Sequence, residues 1–500
     1  MVVHINTIAF SGIKPILVDV QVHMTPGKFN FSIVGLPDKL VNESKERVLA
    51  SLTALGFSLP FCRMTVNLSP ADINKGGSHY DLPIALGLFA HMEILPKEQL
   101  LDYIIMGELF LDGTVTKVPG VLPASLHASD LGLGIICPYE NVNETFLAPN
   151  IKVIPAKNII NLVNHFKGKQ ILSAPKIDSP NLETKISKGD FADVKGQYVA
   201  KRGFEIAAAG GHNVLMVGPP GSGKSMLSSR LPSILPPLTA KEILEVNMIA
   251  SIKGLINKGD LIIERPFRSP HHSCSTAAMV GGGRKAEPGE ITLAHNGVLF
   301  LDELPEFPRY VLESLRQPLE TGNITVARAQ AHVTYPANFQ LIAAMNPCRC
   351  GYLGDPDRGC SLAPNCGKTY QAKLSGPLID RIDLRIEVSP VDFKELREHD
   401  HNIEKSEIIL QRVLKAQEIQ KKRYLGQNFY LNSQADGELL RSKVLLSNNA
   451  QTLLDKAFER LKLSMRSYHR ILKVARTIAD LCDNEFVEET HIAEALSFKR

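Results

Sequence analysis

Five hundred residues with 44% hydrophobic and 22% charged side chains are the balance of a globular chain of about three domains. A net charge of +4 excludes a chain that holds nucleic acid by overall basicity, so any such footprint is local. No apolar stretch is long enough to span a bilayer, and eight cysteines in this length are not a disulfide framework. The start, Met1-Val2-Val3-His4-Ile5-Asn6, lacks a basic segment followed by an apolar core, which predicts a cytoplasmic protein with no membrane partner.

Residues 1–165 read as an α+β unit. Ile16–Val22 and Phe29–Val34 show partial period-two alternation, as in strands. Asn42–Leu55 predicts a helix with Val48, Leu49, Leu52 and Leu55 on one face and Gly56 as its stop. A strand at Met64–Leu68, a loop at Asn74–Ser78 and a helix at Leu82–Met92 follow. The stretch from Val66 to Ser78, with Lys75-Gly76-Gly77-Ser78, resembles the active-site loop of Lon-type proteases. That resemblance implies a Lon-protease-like fold, of the ribosomal S5 domain 2-like kind. It puts Ser78 at the nucleophile position and Leu122 where the family has its lysine. A leucine takes no proton from a serine, so a domain without the peptidase dyad is expected. Residues 166–190 are polar, contain Pro175 and Pro180, and read as a linker.

Residues 191–390 carry nucleotide motifs. The apolar run Asn213–Val217 predicts a buried parallel strand. It leads into Gly218-Pro219-Pro220-Gly221-Ser222-Gly223-Lys224-Ser225, a phosphate-cradling P-loop in its required strand–turn–helix context. The glycines allow backbone N–H groups to close around phosphate oxygens, Lys224 pairs with the β/γ-phosphates of ATP, and Ser225 ligates Mg²⁺. Gly297–Leu304 is an apolar strand ending in Asp302 and Glu303. Asp302 then holds Mg²⁺ and Glu303 orients or deprotonates a water. Between these motifs lies an insertion with Arg265, Arg268, His271, His272, Arg284 and Lys285. It is either a pore loop that neutralises a DNA backbone or a surface loop whose arginines pair internally. Ile324–Tyr335 reads as a hairpin that would carry Arg328 towards a channel. Phe339–Asn346 is a further buried strand whose Asn346 is placed to bond the γ-phosphate or the water.

Cys348, Cys350, Cys360 and Cys366 follow, spaced C-x-C-x9-C-x5-C in a Gly/Pro-rich loop. Two readings stand open: four thiolates on a closed structural Zn²⁺, or four free thiols. Arg381 sits where ring-forming ATPases present an arginine to a neighbour's γ-phosphate, or else pairs with Asp380 or Asp383. Residues 391–500 read as a helical lid. Within it Ile471, Leu472, Ala475, Ile478 and Ala479 make one apolar face, and Arg466, or Arg470, is the candidate to reach nucleotide.

The Lon-like start, the P-loop, Arg265–His272, Met345–Tyr352 and Ser375–Asp383 together resemble the bacterial magnesium-chelatase-like AAA+ ATPases over nearly the whole chain. The resemblance implies an α/β protein with an AAA+ P-loop module, assembled as a hexameric ring. For the family's competence members it implies a DNA helicase that drives branch migration. Rival readings are a chelatase motor, which needs a partner subunit because this chain lacks Asp-x-Ser-x-Ser, and a protein remodeller with Phe267 as its pore aromatic.

Overall fold

The computed structural model describes residues 2–175, 189–256, 260–283, 286–328, 331–353, 358–361, 363–390 and 404–499. Among these, no helix is long and apolar enough to cross a membrane. Part of the linker expectation lies outside the described residues.

The N-terminal part builds a seven-stranded sheet, in the order Asn30–Val34, Cys62–Ser69, Lys14–Pro26, Val3–Ser11, Tyr103–Ile105, Gly134–Pro138 and Val153–Ala156. Val3–Ser11 and Lys14–Pro26 pair as an antiparallel hairpin, with Val3 opposite Val22. Val18, Val20 and Val22 are buried on one face, the period-two pattern expected of these residues. The helix Lys39–Ala54 starts earlier than its apolar period shows, because the Asp38 carboxylate caps it by accepting the Val41 N–H at 2.8 Å. The helix Asp81–His91 is buried on every side from Asp81 to Ala90. Just before it, Ser78 donates to the Glu108 carboxylate at 2.5 Å and Lys75 donates to the Pro70 carbonyl. Leu122 is fully buried in the helix Val121–Asp130.

The second sheet holds five strands in the order Phe267–Arg268, Val298–Leu301, Gln340–Met345, Val214–Val217 and Leu384–Glu387. Every neighbouring pair is parallel. Its central strands are apolar on both faces because helices cover both. The C-terminal helices Ser406–Arg423, Asn448–Arg460, Met465–Leu481 and Glu489–Ser497 share one core with this sheet, Ile342, Leu384, Val413 and Leu472 among its members. The expected apolar face of Met465–Leu481 is buried as a unit. A parallel sheet has a direction. The residues that follow all its strands gather along one edge, and those that precede them gather along the other. Strands of four to six residues set the edges roughly 13–20 Å apart.

Two contacts tie the N-terminal part to the rest among the described residues, and neither is on the five-stranded sheet itself. The turn at Gly12 and Ile13 lies on the hairpin Asn323–Arg328 and Ala331–Pro336, where a Cβ on Gly12 would come within 2.3 Å of Val333. The other contact is buried. Ser251, on the helix Ala240–Lys253, donates its hydroxyl to Glu144 and accepts the Leu122 N–H at 3.2 Å. Glu144 also accepts from Asn141 at 2.6 Å. Burial raises the Glu144 pKa, and the Ser251 and Asn141 hydrogen bonds pull it part of the way back.

Candidate active site

The strand Val214–Val217 delivers Gly218 to Ser225 at the edge where the strands end. Gly221 and Gly223 take φ of 77° and 87°, a region that a Cβ disfavours, and the helix Lys224–Arg230 begins directly behind them. The loop backbone and that helix start are what an anion needs. The Lys224 ammonium is buried and donates to the carbonyls of Gly218 and Pro219, both at 2.8 Å, and to Asn346 Oδ1 at 3.2 Å. Burial lowers its pKa against the attraction of Asp302 and Glu303. Asn346, which ends the strand Gln340–Met345, is thus brought to the P-loop lysine.

Ser225 donates to Asp302 Oδ2 at 2.8 Å, and the Glu303 N–H donates to Asp302 Oδ1 at 2.9 Å. Both carboxylate oxygens are therefore oriented. A hydroxyl beside a carboxylate is a hard oxygen pair that fits Mg²⁺. Glu303 adopts φ 53°, a left-handed conformation unusual for a side-chain-bearing residue. Its carboxylate meets His272 Nδ1 at 3.3 Å, and the rings of His271 and His272 lie 4.0 Å apart. Sequence reasoning missed this histidine as part of the site. Its only local signal was the pair of histidines in the insertion.

The opposite edge holds a polar cavity of about 690 Å³. Asn213, Gly297, Gln340 and Asp383, which precede or open the strands, line it together with Arg381, Arg466 and Arg470. Arg381 donates to Glu320 and to the Pro377 carbonyl, while Arg466 donates to the same Glu320 oxygen at 2.8 Å. Arg381 therefore pairs with Glu320, not with Asp380 or Asp383. Arg470 is buried and donates to the Ile382 carbonyl at 3.0 Å. Burial works against ionising Asp383, yet the His212 hydrogen bond and nearby Arg470 leave its carboxyl below the usual range. Arg466, the candidate to reach nucleotide, lies on this edge and not on the edge of its own P-loop. A sheet's depth separates the two, and Arg466 lies with Arg381.

Magnesium chelatase subunit ChlI family models match residues 20–141, 190–396 and, as its C-terminal part, 403–499. The competence protein ComM of Haemophilus influenzae is 43% identical over 497 residues, covering 98% of this chain and 96% of that protein. The chain belongs to the magnesium-chelatase-like family of ComM and YifB. YifB of Escherichia coli is 40% identical over 495 residues, 99% of this chain and 96% of YifB. The magnesium-chelatase 38 kDa subunit of Cereibacter sphaeroides is 25% identical over 222 residues, 41% of this chain and 60% of the subunit.

Other expectations for this chelatase-like chain depend on their surroundings. Arg265 donates to the carbonyls of Pro236 at 2.6 Å and Asn296 at 2.7 Å. Arg268 makes two 2.7 Å hydrogen bonds to Glu290. Both guanidiniums are paired inside the fold, which matches the internally paired reading of the insertion, one of the two that its sequence left open. Phe267 stacks on Phe300 at 6.0 Å and is no free pore aromatic. Arg284 and Lys285 lie outside the described residues. Arg328 ends a hairpin strand opposite Ala331, as its sequence predicts. Cys348, Cys350 and Cys366 bring their sulfurs within 4.8 Å of one another.

Proposed function

We propose that this protein is a Mg·ATP-hydrolysing AAA+ motor that works as a ring, most simply a homohexamer, and acts on DNA. One observation carries the reading: the P-loop and the arginines Arg381 and Arg466 occupy opposite edges of one parallel sheet. A catalytic site made from both edges needs two subunits stacked head to tail. Gly218–Ser225 binds the phosphates and Lys224 turns to the β/γ-oxygens. Ser225 and Asp302 would hold Mg²⁺, which would supply charge neutralisation to the phosphates. Glu303 orients the attacking water and accepts its proton, with Asn346 bonding the same water or the γ-phosphate. Arg381 of the adjoining copy stabilises charge in the transition state, with Arg466 beside it.

The DNA substrate rests on the likeness to a competence protein, and branch migration during integration of incoming DNA is the activity we assign. Arg328 on its hairpin, with Arg284 and Lys285, is the candidate DNA path. A chelatase-type motor working with a partner subunit is the second reading, favoured by the magnesium-chelatase 38 kDa relative. ATP hydrolysis measured alone and with single-stranded, duplex and four-way-junction DNA over a salt series separates the two. Stimulation by branched DNA that fades with salt supports the motor on DNA. Activity indifferent to every DNA overturns it.

A further inference from the structure

The loop that leaves Asn346 contains thiols for which the nucleotide chemistry has no use. Cys348 and Cys350 have their sulfurs 3.0 Å apart, and with Cys366 they form a cluster within 4.8 Å. Cys360 reaches both Cys350 and Cys366 with its side chain. All four are free cysteines, and 3.0 Å is well beyond a disulfide's bond of about 2.05 Å. Sulfurs on a tetrahedral zinc, each about 2.3 Å from the metal, stand roughly 3.8 Å from one another. The observed spacing is of that order. Soft thiolates select zinc over hard cations such as the Mg²⁺ of the P-loop.

The loop also has little apolar burial among the described residues. Between Pro347 and the helix Asn365–Gln371, only Cys348 and Gly351 are buried among the described residues. Yet it occupies a demanding position. A Cβ on Gly351 would fall 2.6 Å from Pro220 of the P-loop. Gly351, Tyr352 and Leu353 face Gly218, Pro219 and Pro220 across a cavity of about 580 Å³. A segment with almost no core thus forms the wall beside the phosphate loop. Metal binding supplies what packing does not.

We propose that Cys348, Cys350, Cys360 and Cys366 hold one zinc ion as four thiolates, and that this zinc fixes the loop that walls the P-loop cavity. The site is closed and structural. The second half rests on the ATP-binding reading above, and the first half does not.

Elemental analysis of the full-length protein tests the first half, with about one zinc per chain expected. The double variant Cys348→Ser/Cys366→Ser is expected to lose it, and Cys482→Ser, an exposed cysteine elsewhere, to keep it. Zinc-free protein whose loop thiols all react with a thiol reagent in the native state overturns the proposal. Should the double variant fail to fold, X-ray absorption on the unaltered protein decides. Four sulfurs at about 2.3 Å support the site, and a shell of nitrogen and oxygen overturns it. For the second half, zinc is extracted with a mercurial and chelator, and binding of a fluorescent ATP analogue is titrated before, after and on zinc return. At least a ten-fold loss that zinc reverses is expected, and unchanged affinity overturns the clamp. A zinc-loaded protein that never binds the analogue would refute the nucleotide reading and leave the metal site standing.

Discussion

The two edges of the parallel sheet are built on opposite principles. At the edge where strands end, oppositely charged groups interlock: Lys224 sits near Asp302 and Glu303, and Ser225 bonds Asp302. At the edge where strands begin, Arg381 and Arg466 share one carboxylate, Glu320, while Arg470 lies beside Asp380 and Asp383. The first edge pairs its charges internally. The second has arginines held ready by a single acid. On the ring reading proposed above, the active site is divided between two ends of one fold, so that neither end works without a copy of the other.

The largest test breaks the division outright. Lys224→Ala and Arg381→Ala should each lower ATP hydrolysis by ~10³-fold, with ATP binding retained by Arg381→Ala. Mixed together, the two inactive variants should recover activity, because one brings an intact P-loop and the other intact arginines. A mixture as inactive as its parts would mean that the edges never meet. A smaller effect sharpens the roles within the second edge. Arg466→Ala should slow hydrolysis by ~10–100-fold, the value of a charge-assisted hydrogen bond worth about 1.5–3 kcal/mol. Arg470→Ala should instead lower the melting temperature, because Arg470 bonds backbone carbonyls inside the fold.

An internally paired arginine gives a third measurement. Arg268→Ala should destabilise the module by about 1–3 kcal/mol in thermal or denaturant unfolding, since it leaves Glu290 without its partner. The salt dependence of DNA binding should stay the same, because no phosphate contact is lost. The smallest expected effect is a pH slope. Burial raises the Glu144 pKa, so the folded chain keeps that proton when the unfolded chain has released it. Stability from this group is present at low pH and is lost as pH rises from the ordinary carboxylate value through the raised one. Melting curves should show the unaltered protein losing ground to Glu144→Gln as pH rises above the ordinary carboxylate value.

Much of this was legible because it is local in sequence. The P-loop, the Asp302-Glu303 strand end and Asn346 each announce themselves within eight residues, and parallel strands then carry them to one edge. Long-range partners left no such mark. Glu320 lies 61 residues from Arg381 and 146 from Arg466, so nothing near either arginine names it. Whether Arg268 was free or paired stayed open because its carboxylate is 22 residues away. Which nucleotide Arg466 could reach was not legible for a related reason. Helical spacing shows which residues share a face, but not which edge of a distant sheet that face meets.

The attachment of the N-terminal sheet has a mechanical consequence. It is fixed at two separated points, the Gly12–Ile13 turn on one hairpin and Glu144 on the helix Ala240–Lys253. A body pinned twice cannot swing about either pin alone. The two pins also differ in strength. The turn rests on van der Waals contact, whereas parting Glu144 from Ser251 leaves a buried carboxyl with its Asn141 hydrogen bond alone. Any displacement of Ala240–Lys253 is therefore transmitted to the N-terminal sheet as a push through Glu144, and the hairpin contact acts as the bearing on which it turns.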